Sequence, residues 1–516
     1  MSPALRDAAP GLLVTNGDAL ERLDALCLRL LRALAEEGYR LQAVPAAVRA
    51  VLGADAPEVA RILEFVCARL VPALARTGEE IGNLLHGLAG RYVPAGPSGA
   101  PTRGLANVLP TGRNFYSVDP KTIPSPAAWQ VGQQLADALL EKYLREEGAY
   151  PETVGIVIWG TSAMRTHGDD VAEVLALLGV RPRWQQESRR VVGLEVIPPA
   201  ELGRPRIDVT ARVSGFFRDA FPNLIPLMEE AIELVATLGE PDEQNYVAKH
   251  FRQDLAAKRA VGEPADVARR KALYRLFGSK PGTYGAGILP LLDERNWQTD
   301  ADLARVYAAW GGYVYTRDEY GATATQEFNL RFAQIAVAAK NQDNREHDIF
   351  DSDDYMQYHG GMIATVRALT GRSPRSFFGD SADPAQVRVR DLADEARRVF
   401  RSRVVNPKWI ASIKRHGYKG AFELAATVDY LFGYDATAQV VDDWMYQRVA
   451  EAYVLDADMQ RFFAEKNPWA MRGIVERLLE AMDRGLWAEA DAATRAALQR
   501  IYLDFETHLE ARQERR

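Results

Sequence analysis

A dense run of carboxylate and imidazole side chains lies between residues 340 and 371, in the sequence KNQDNREHDIFDSDDYMQYHGGMIATVRALTG. Six acidic residues and two of the chain's seven histidines fall between Asp343 and His359. Carboxylate and imidazole groups bind divalent metals and transfer protons near neutral pH. The run therefore predicts a metal or proton-transfer site. The alternative is a solvated acidic turn that carries one packed histidine.

A short helix is predicted to present part of this run on one face. Ser352 can cap such a helix, since its hydroxyl can accept a hydrogen bond from an amide at the open N-terminus. Asp351, Asp354 and Tyr358 are three and four residues apart, a spacing that places them on the same face. Extended backwards, that face also includes His347.

The pair Gly360-Gly361 is predicted to end this helix. Glycine is the residue that most often follows a helix, because it adopts the left-handed conformation without strain. A second helix is then expected from Met362 to Leu369.

An α/β region is predicted upstream of the acidic run. The apolar run VGIVIW, at 154–159, ends at Gly160 and is typical of a buried parallel strand. Further strands and helices alternate after it, which indicates a parallel or mixed sheet. Ligands lie at the carboxyl ends of strands in such sheets. The segments GTSAMRTHGDD (160–170) and SGFFRD (214–219) are therefore expected at the mouth of a site.

Two basic side chains in the first of these segments are candidates for ligand binding. Arg165 and His167 could bind an anionic or metal-bearing ligand. The alternative needs no ligand, because Thr166 and Asp169 could simply cap the next helix.

The expected fold class is mixed α/β and predominantly helical, with helical bundle regions around a smaller parallel or mixed α/β sheet domain. Four regions are predicted along the chain. They are a helical region at 1–105, an α/β domain at 106–240, a helical domain with the acidic run at 241–395, and a C-terminal helical domain at 396–516.

Composition and motifs exclude several classes of function. A formal charge of -7 and a pI near 5.7 give no basic face for nucleic acid. The sequence has no apolar run long enough to span a membrane and no signal-peptide pattern at its start, so a cytoplasmic location is expected. The glycine-rich stretch LFGSKPGTYGAGIL (276–289) lacks the spacing of a phosphate-binding loop, which argues against ATP hydrolysis by that route.

Several long segments of the sequence together resemble the sequences of one protein family. The chain is similar to the large subunit of aerobic, ATP-dependent cobaltochelatase and to its relative, the large subunit of magnesium chelatase. The matching phrases are LPTGRNFYSVDP (109–120), MRTHGDDVAEVLALLGVRP (164–182), GRPRIDVTARVSGFFRDAFPNL (203–224), FGSKPGTYGAGI (277–288), FDSDDYMQYHGGMIATVRALTG (350–371), NPKWI (406–410) and RHGYKGA (415–421). Members of this family are usually much longer, so the resemblance is to their C-terminal portion.

This resemblance implies insertion of Co²⁺ into a corrin-type tetrapyrrole, hydrogenobyrinic acid a,c-diamide, during cobalamin biosynthesis. The large subunit would bind the macrocycle and the metal. ATP, with Mg²⁺, would be hydrolysed by partners, namely an AAA+ ATPase subunit and a second accessory subunit. Two alternatives stay open: a magnesium chelatase large subunit that takes protoporphyrin IX, and a tetrapyrrole-binding fragment without insertion activity.

Together with the resemblance, the residues suggest roles for particular side chains. His359 is the first choice as metal ligand and proton acceptor, with Asp354 beside it and His167 as the second candidate for proton transfer. The remaining predicted metal ligands are Asp351 and Asp353, and the predicted macrocycle-binding residues are Arg113, Tyr116, Arg165 and Arg218.

Overall fold

The computed structural model describes residues 16–99, 101, 106–116 and 118–513. The chain forms two compact units, Met1–Ser117 and Val118–Arg516. The sequence predicted four regions, and that finer division stays a prediction. No helix among the described residues is both long enough and apolar enough to cross a membrane.

The first unit is mainly helical and packs around a small core that includes Leu34, Val48 and Leu63. Prolines stand in the first turn of three of its helices, where the missing amide proton costs no hydrogen bond. Its helices are Asn16–Glu36, Val44–Leu52, Pro57–Phe65, Val71–Ala75 and Glu79–Leu88, with a π-helical turn at Val66–Leu70 and 3₁₀ turns at Leu41–Ala43 and Ala106–Val108. Two short strands, β1 (Ala95–Pro97) and β2 (Asn114–Tyr116), pair in parallel.

The second unit is built on a mixed sheet that has 8 strands among the described residues. The strands of this unit are β3 (Thr153–Ile158), β4 (Val180–Trp184), β5 (Val191–Val196), β6 (Asp208–Val213), β7 (Leu276–Gly278), β8 (Tyr313–Tyr315), β9 (Tyr320–Thr323), β10 (Val337–Gln342), β11 (Arg375–Asp380) and β12 (Arg388–Asp391). The order in the sheet is β12-β11-β10-β3-β6-β7-β8-β9, and β4 and β5 form a separate antiparallel pair.

Five central strands, from β11 to β7, run parallel, and the strands at the two edges run antiparallel to their neighbours. From β3 the chain proceeds to β6 and β7 on one side, and it later returns to place β10 and β11 on the other side. The order therefore reverses between β3 and β10, and a crevice for ligands is expected at the carboxyl ends of these two strands.

Helices cover both faces of this sheet, and alternate residues of β3 contribute to two cores. Val154, Ile156 and Ile158 pack into one core, and Val157 packs into the other. The helices of this unit are Pro126–Glu147, Gly160–Thr166, Asp169–Leu178, Pro199–Leu202, Gly215–Ala220, Leu224–Ala236, Tyr246–Ala260, Ala265–Ala272, Ile288–Asp293, Asp300–Gly311, Thr325–Phe332, Asp353–Tyr355, Gly361–Thr370, Leu392–Val399, Pro407–Lys414, Tyr418–Ala438, Asp443–Val449, Ala457–Lys466, Pro468–Asp483 and Ala492–Gln513, with a 3₁₀ turn at Pro120–Thr122 and π-helical segments at Met356–Gly360, Phe400–Val404 and Ala450–Leu455.

The fold class predicted from the sequence, mixed α/β and predominantly helical, is confirmed. The sheet nevertheless extends into region 241–395, which was predicted to be helical. Strand β10 has the sequence VAAKNQ, and its alanines and long polar side chains favour a helix when considered alone. Pairing with β3 and β11 on both sides makes it a buried strand.

The glycine pair at 360–361 does not end a helix, contrary to the sequence prediction. Both residues have helical backbone angles, and the chain continues directly into helix Gly361–Thr370. A Cβ atom on Gly360 would lie 2.1 Å from the hydroxyl of Thr437, and one on Gly361 would lie 2.5 Å from the ring of Tyr307. These glycines therefore permit close packing of neighbouring helices.

Candidate functional site

A cleft of about 440 Å³ opens at the carboxyl ends of β3, β6 and β10 in the second unit. This position matches the crevice expected where the strand order reverses. The segments after β3 and β6 were both predicted to lie at this mouth, and both contribute to it. The lining residues are Trp159, Gly160, Thr161, Arg165, Ser214, Gly215, Phe216, Tyr284, Gly285, Asn344, His347, Asp351, Ser352, Asp354, Tyr355 and Tyr358.

One wall of the cleft is acidic. His347, Asp351, Asp354 and Tyr358 all line it, which is the set that the sequence placed on one helical face. The helix itself begins only at Asp353, so the first two residues are brought to this wall by the preceding turn. The predicted cap is present, because the Asp354 amide donates to the Ser352 hydroxyl at 3.4 Å.

The carboxylates of this wall are shifted towards their protonated forms. Burial, and then the neighbouring charge of Asp353, raise the pKa of Asp354 to about 6, although its side chain is exposed at the cleft mouth. Burial also raises the pKa of Asp351, whose Oδ1 lies 3.5 Å from Nδ1 of His347. Asp353 itself accepts a hydrogen bond from Gln357 at 2.6 Å. A carboxylate such as Asp354, with a pKa of about 6, is suited to exchange protons and cations.

Aromatic rings supply much of the remaining lining. Trp159 and Tyr355 pack edge to face, with their ring centroids 4.7 Å apart. Phe216 and Tyr284 are 38% and 59% exposed, so their apolar surface is available to a ligand. Rings arranged in this way can stack against a flat, largely apolar molecule.

Arg165 lines the cleft as predicted, but its charge is already neutralised by Asp343. Its Nε and Nη2 atoms both donate to the carboxylate of Asp343, each at 2.8 Å. Asp343 follows β10 and is buried, and the Ser162 hydroxyl also donates to it at 3.3 Å. This bidentate pair ties the segment after β3 to the segment after β10 across the point where the strand order reverses.

His359, the first choice from the sequence, lies in the core and does not line the cleft. Its Nε2 donates to the Ala338 carbonyl at 3.1 Å, which leaves Nδ1 to accept from the Tyr434 hydroxyl at 3.3 Å. Burial lowers the pKa of His359 to about 4, so the ring is neutral at pH 7. Its predicted role as a metal ligand stays a prediction.

Three other predicted residues of this unit, Asp353, His167 and Arg218, also lie outside the cleft lining. His167 follows helix Gly160–Thr166 in the left-handed conformation, with φ 57°. Arg218 is fully buried, and it donates to both carboxylate oxygens of Asp219 and to the carbonyls of Ser279 and Lys280. Arg218 therefore holds the glycine-rich turn that starts at Ser279, and its role in substrate binding stays a prediction.

Arg113 and Tyr116 belong to the first unit. Arg113 donates to the carbonyls of Pro110 and Val108, each at 2.9 Å, and so fixes the fold of its own loop. Tyr116 lies on β2 and is 58% exposed. Their predicted contact with a macrocycle stays a prediction.

Within the described part of the chain, no group of three or more His, Cys, Asp or Glu side chains is arranged to hold a metal ion. The acidic wall nevertheless places two carboxylates and an imidazole on the same surface. A metal ion captured there could take further ligands from a bound molecule or from water.

Comparison with known proteins identifies the family. Residues 6–494 match the family model described as CobN/Magnesium Chelatase. This chain belongs to that family. Its members include the aerobic cobaltochelatase subunit CobN of Pseudomonas aeruginosa, which is 50% identical over 95% of this chain, and a magnesium-chelatase subunit of Chlorobaculum parvum, which is 34% identical over 88% of it.

A solved structure of the family shares this fold. The catalytic subunit of cobaltochelatase from Mycobacterium tuberculosis superposes with a TM-score of 0.89 and 53% identity, over 98% of this chain. The chain spans 38% of the Pseudomonas protein, 35% of the Chlorobaculum protein and 42% of the Mycobacterium chain.

Sequence reasoning missed several residues of the cleft. The sequence pattern presents Trp159 only as the end of a strand, and it assigns no role to Phe216 or Tyr284. Asp343, the partner of Arg165, lay at the start of the acidic run but was not singled out. The positions of Trp159 and Asp343 could have indicated a place in the cleft. These two residues directly follow β3 and β10, and ligands bind at the carboxyl ends of such strands.

Three buried acidic side chains, Asp169, Asp170 and Glu173, lie in the first turns of helix Asp169–Leu178. The side-chain amide of Asn341 donates to Asp170 at 2.9 Å and also to Glu173. The Ser381 hydroxyl donates to Asp169 at 3.1 Å. Burial raises the pKa of Glu173 to about 8, so this side chain is protonated at neutral pH.

Replacing Glu173 by glutamine is expected to remove a pH dependence of stability. From the ordinary carboxyl pKa of 4.5 up to about 8, the folded state keeps a proton on Glu173 that the unfolded state loses. The wild-type free energy of unfolding therefore falls with rising pH, by up to about 1.4 kcal/mol per pH unit. Urea unfolding at pH 5.5, 6.5 and 7.5 should show the glutamine variant gaining stability over wild type at each step. A constant difference would contradict the shifted pKa.

Proposed function

We propose that this chain forms the macrocycle- and metal-binding part of a cobaltochelatase, which inserts Co²⁺ into a corrin-type tetrapyrrole such as hydrogenobyrinic acid a,c-diamide. One observation carries the proposal: an acidic wall and a set of exposed aromatic rings line the same cleft at the carboxyl ends of the central strands. The aromatic rings suit a flat macrocycle, and the carboxylates suit a divalent cation that must be delivered to it.

Metal insertion requires the cation to lose water and the ring nitrogens to lose protons. In the proposed mechanism Asp351 and Asp354 attract the cation at the cleft mouth, and His347 offers an imidazole nitrogen beside them. Co²⁺ is the substrate, so a loose set of ligands suits the task better than a closed cage, which would retain the metal. Asp354, with a pKa of about 6, can also accept a proton released from the macrocycle.

Cobalt rather than magnesium is the proposed metal, because similarity is higher on the cobalt side of the family. The Mycobacterium and Pseudomonas cobaltochelatase proteins are 53% and 50% identical to this chain, whereas the Chlorobaculum magnesium-chelatase protein is 34% identical. Insertion of Mg²⁺ into protoporphyrin IX is the second candidate.

The proposal also includes two partner subunits. Family resemblance supports an AAA+ ATPase subunit and a second accessory subunit, which would hydrolyse ATP with Mg²⁺ while this chain holds the substrates. A cytoplasmic location stays a prediction. Because the chain covers less than half the length of its relatives, a macrocycle binder without insertion activity is the third candidate.

Binding of the macrocycle can be tested by tryptophan fluorescence. Trp159 lines the cleft, so a bound tetrapyrrole should quench its emission. We expect hydrogenobyrinic acid a,c-diamide to quench more strongly and at lower concentration than protoporphyrin IX. The Trp159→Phe variant should lose much of this quenching, whereas Trp469→Phe, at an exposed position on helix Pro468–Asp483, should keep it. Tighter binding of protoporphyrin IX would favour the magnesium candidate.

Insertion is tested separately by adding Co²⁺, ATP and the two partner proteins and following the absorbance of the metallated macrocycle. Incorporation that requires this chain supports the chelatase proposal. Macrocycle binding without incorporation, under conditions in which a full-length relative is active, would support the third candidate.

Replacing His359 by alanine separates a metal role from a packing role. Loss of the ring leaves the Ala338 carbonyl and the Tyr434 hydroxyl without their partner inside the core. We expect a loss of about 2–4 kcal/mol in the free energy of unfolding. We also expect macrocycle binding to be retained at about 15 °C, well below thermal unfolding of an ordinary domain. Cobalt insertion that falls far more than the folded fraction, measured by circular dichroism, would instead support His359 as the ligand.

A further inference from the structure

A basic surface outside the cleft lies where two helices of the second unit meet. The sequence FRSRVVNPKWIASIKRHGYKGAF, at 400–422, holds six Lys or Arg residues and no Asp or Glu, although the whole chain has a formal charge of -7. Two segments that carry the family resemblance, NPKWI and RHGYKGA, lie inside it. Neither of them contributes to the cleft lining, so binding of the macrocycle does not explain this surface.

Two packed helices hold this surface in a fixed arrangement. Helix Pro407–Lys414 and helix Tyr418–Ala438 are joined by a short turn at 415–417. A Cβ atom on Gly420 would collide with the carbonyl oxygen of Ile413, so glycine lets the second helix pack closely against the end of the first. The side chains around the turn therefore form one rigid surface.

Four of the six basic side chains form no ion pair within the described part of the chain. They are Arg401, Lys408, Lys414 and Arg415. Arg403 is neutralised by Asp348 at 2.5 Å. Glu423 lies 3.9 Å from Lys419 and 3.5 Å from Nδ1 of His416, so it offsets only part of the remaining charge. This surface therefore carries an excess of positive charge.

Exposed aromatic rings lie among these cations. Tyr418 and Phe422 are 64% and 51% exposed, and their spacing of four residues places them on the same face of their helix. The Lys419 ammonium lies 4.8 Å from the ring centroid of Phe422. Aromatic and arginine side chains are enriched at protein interfaces. The negative charge of the rest of the chain opposes a long polyanion such as nucleic acid, so a protein partner fits this surface better.

We propose that residues 407–422 are the docking surface for an acidic partner protein, which is one of the two partner subunits in the proposed function. The inference rests on the proposed function for the identity of that partner. Carboxylates of the partner pair with the exposed cations that lack an acid in this chain, and an apolar patch on the partner covers Tyr418 and Phe422. Charges at such an interface speed association and select the partner.

Charge reversal on this surface tests the inference. Binding of each partner protein is measured by biolayer interferometry for wild type and for a triple variant, Lys408→Glu, Arg415→Glu and Lys419→Glu. We expect the triple variant to bind one partner about ten- to a hundredfold more weakly in about 0.05 M salt. The difference should shrink in about 0.3 M salt, because ions screen exposed charges.

The control triple variant changes the net charge of the chain equally at exposed arginines elsewhere on the second unit. Its substitutions are Arg252→Glu, Arg269→Glu and Arg305→Glu, and it should bind both partners as wild type does. The aromatic part is tested by Phe422→Ala, which should weaken the same partner about tenfold at both salt concentrations. Leu503→Ala, at a position that is 64% exposed on helix Ala492–Gln513, is its control.

Quenching by the macrocycle should be unchanged in every variant, and cobalt insertion by the first triple variant should recover when the partner is in excess. Equal binding of both partners by wild type and this variant would overturn the inference and leave the proposed function intact. Loss of binding only to a single-stranded oligonucleotide or to phosphatidylserine vesicles would also overturn it, in favour of that polyanion. Wild type that binds neither partner would overturn it as well, and the quenching and insertion tests then decide separately on the proposed function.

Discussion

Asp354→Asn is expected to slow cobalt insertion by about a hundredfold while macrocycle affinity stays within about twofold of wild type. Asp354 is the exposed carboxylate of the acidic wall, so it is placed to meet an incoming cation. Asparagine keeps the size of the side chain and removes its charge and its capacity to accept a proton. Binding energy from the aromatic rings does not depend on that charge.

The measurement is the initial rate of cobalt incorporation with saturating macrocycle, ATP and partner proteins, with quenching titrations in parallel. Asp458→Asn is the control, because Asp458 is an exposed residue on helix Ala457–Lys466 and does not line the cleft. An Asp354→Asn protein that inserts cobalt at the wild-type rate would remove this carboxylate from the mechanism. A parallel loss of macrocycle affinity would indicate a binding role.

Asp208→Asn is expected to lower the free energy of unfolding of the second unit by about 3–5 kcal/mol. Asp208 is completely buried at the start of β6 and accepts hydrogen bonds from Arg275 at 2.7 Å, His250 at 2.9 Å and Arg331 at 3.2 Å. Burial alone would raise the pKa of Asp208, but its cationic partners hold the pKa far below the ordinary value. Removing the charge leaves two buried guanidinium groups without this shared anion.

Urea unfolding followed by circular dichroism at pH 7 measures this effect. Because the pKa of Asp208 is lowered, its stabilising contribution is present above the ordinary carboxyl pKa of 3.8 and decreases as the pH falls below it. Asp242→Asn, which breaks an exposed pair with Arg252, is the control and should change stability by less than about 1 kcal/mol. A similarly small change for Asp208→Asn would show that the buried network contributes little to stability.

Local patterns were sufficient to find much of the cleft. The apolar run at 154–159 and the alternation that follows it predicted a sheet whose strand ends carry ligands, and the cleft lies at those ends. The spacing of Asp351, Asp354 and Tyr358 predicted a shared helical face. All three line one wall, although the helix begins only at Asp353 and Asp351 lies in the preceding turn. Strand ends can be predicted because nearby residues set them.

Local patterns could not show partners that come from distant parts of the sequence. His359 stands in an acidic run, yet its ring bonds to Ala338 and to Tyr434, which lies 75 residues away. Arg218 was predicted to bind the macrocycle, but its guanidinium already donates to the Ser279 carbonyl in a distant turn. The glycines at 360–361 were predicted to end a helix, but they instead allow Thr437 and Tyr307 to pack closely against it.

The sequence by itself determined the family and the fold class. For the site it predicted carboxylates, an imidazole and guanidinium groups near strand ends. Only the tertiary structure decided which of these groups face a common cleft and which are already neutralised. Charge and hydrogen-bonding capacity belong to the residue, but their availability depends on partners that folding brings from far along the chain. Arg165 illustrates the difference, since its charge is neutralised by Asp343 from 178 residues away.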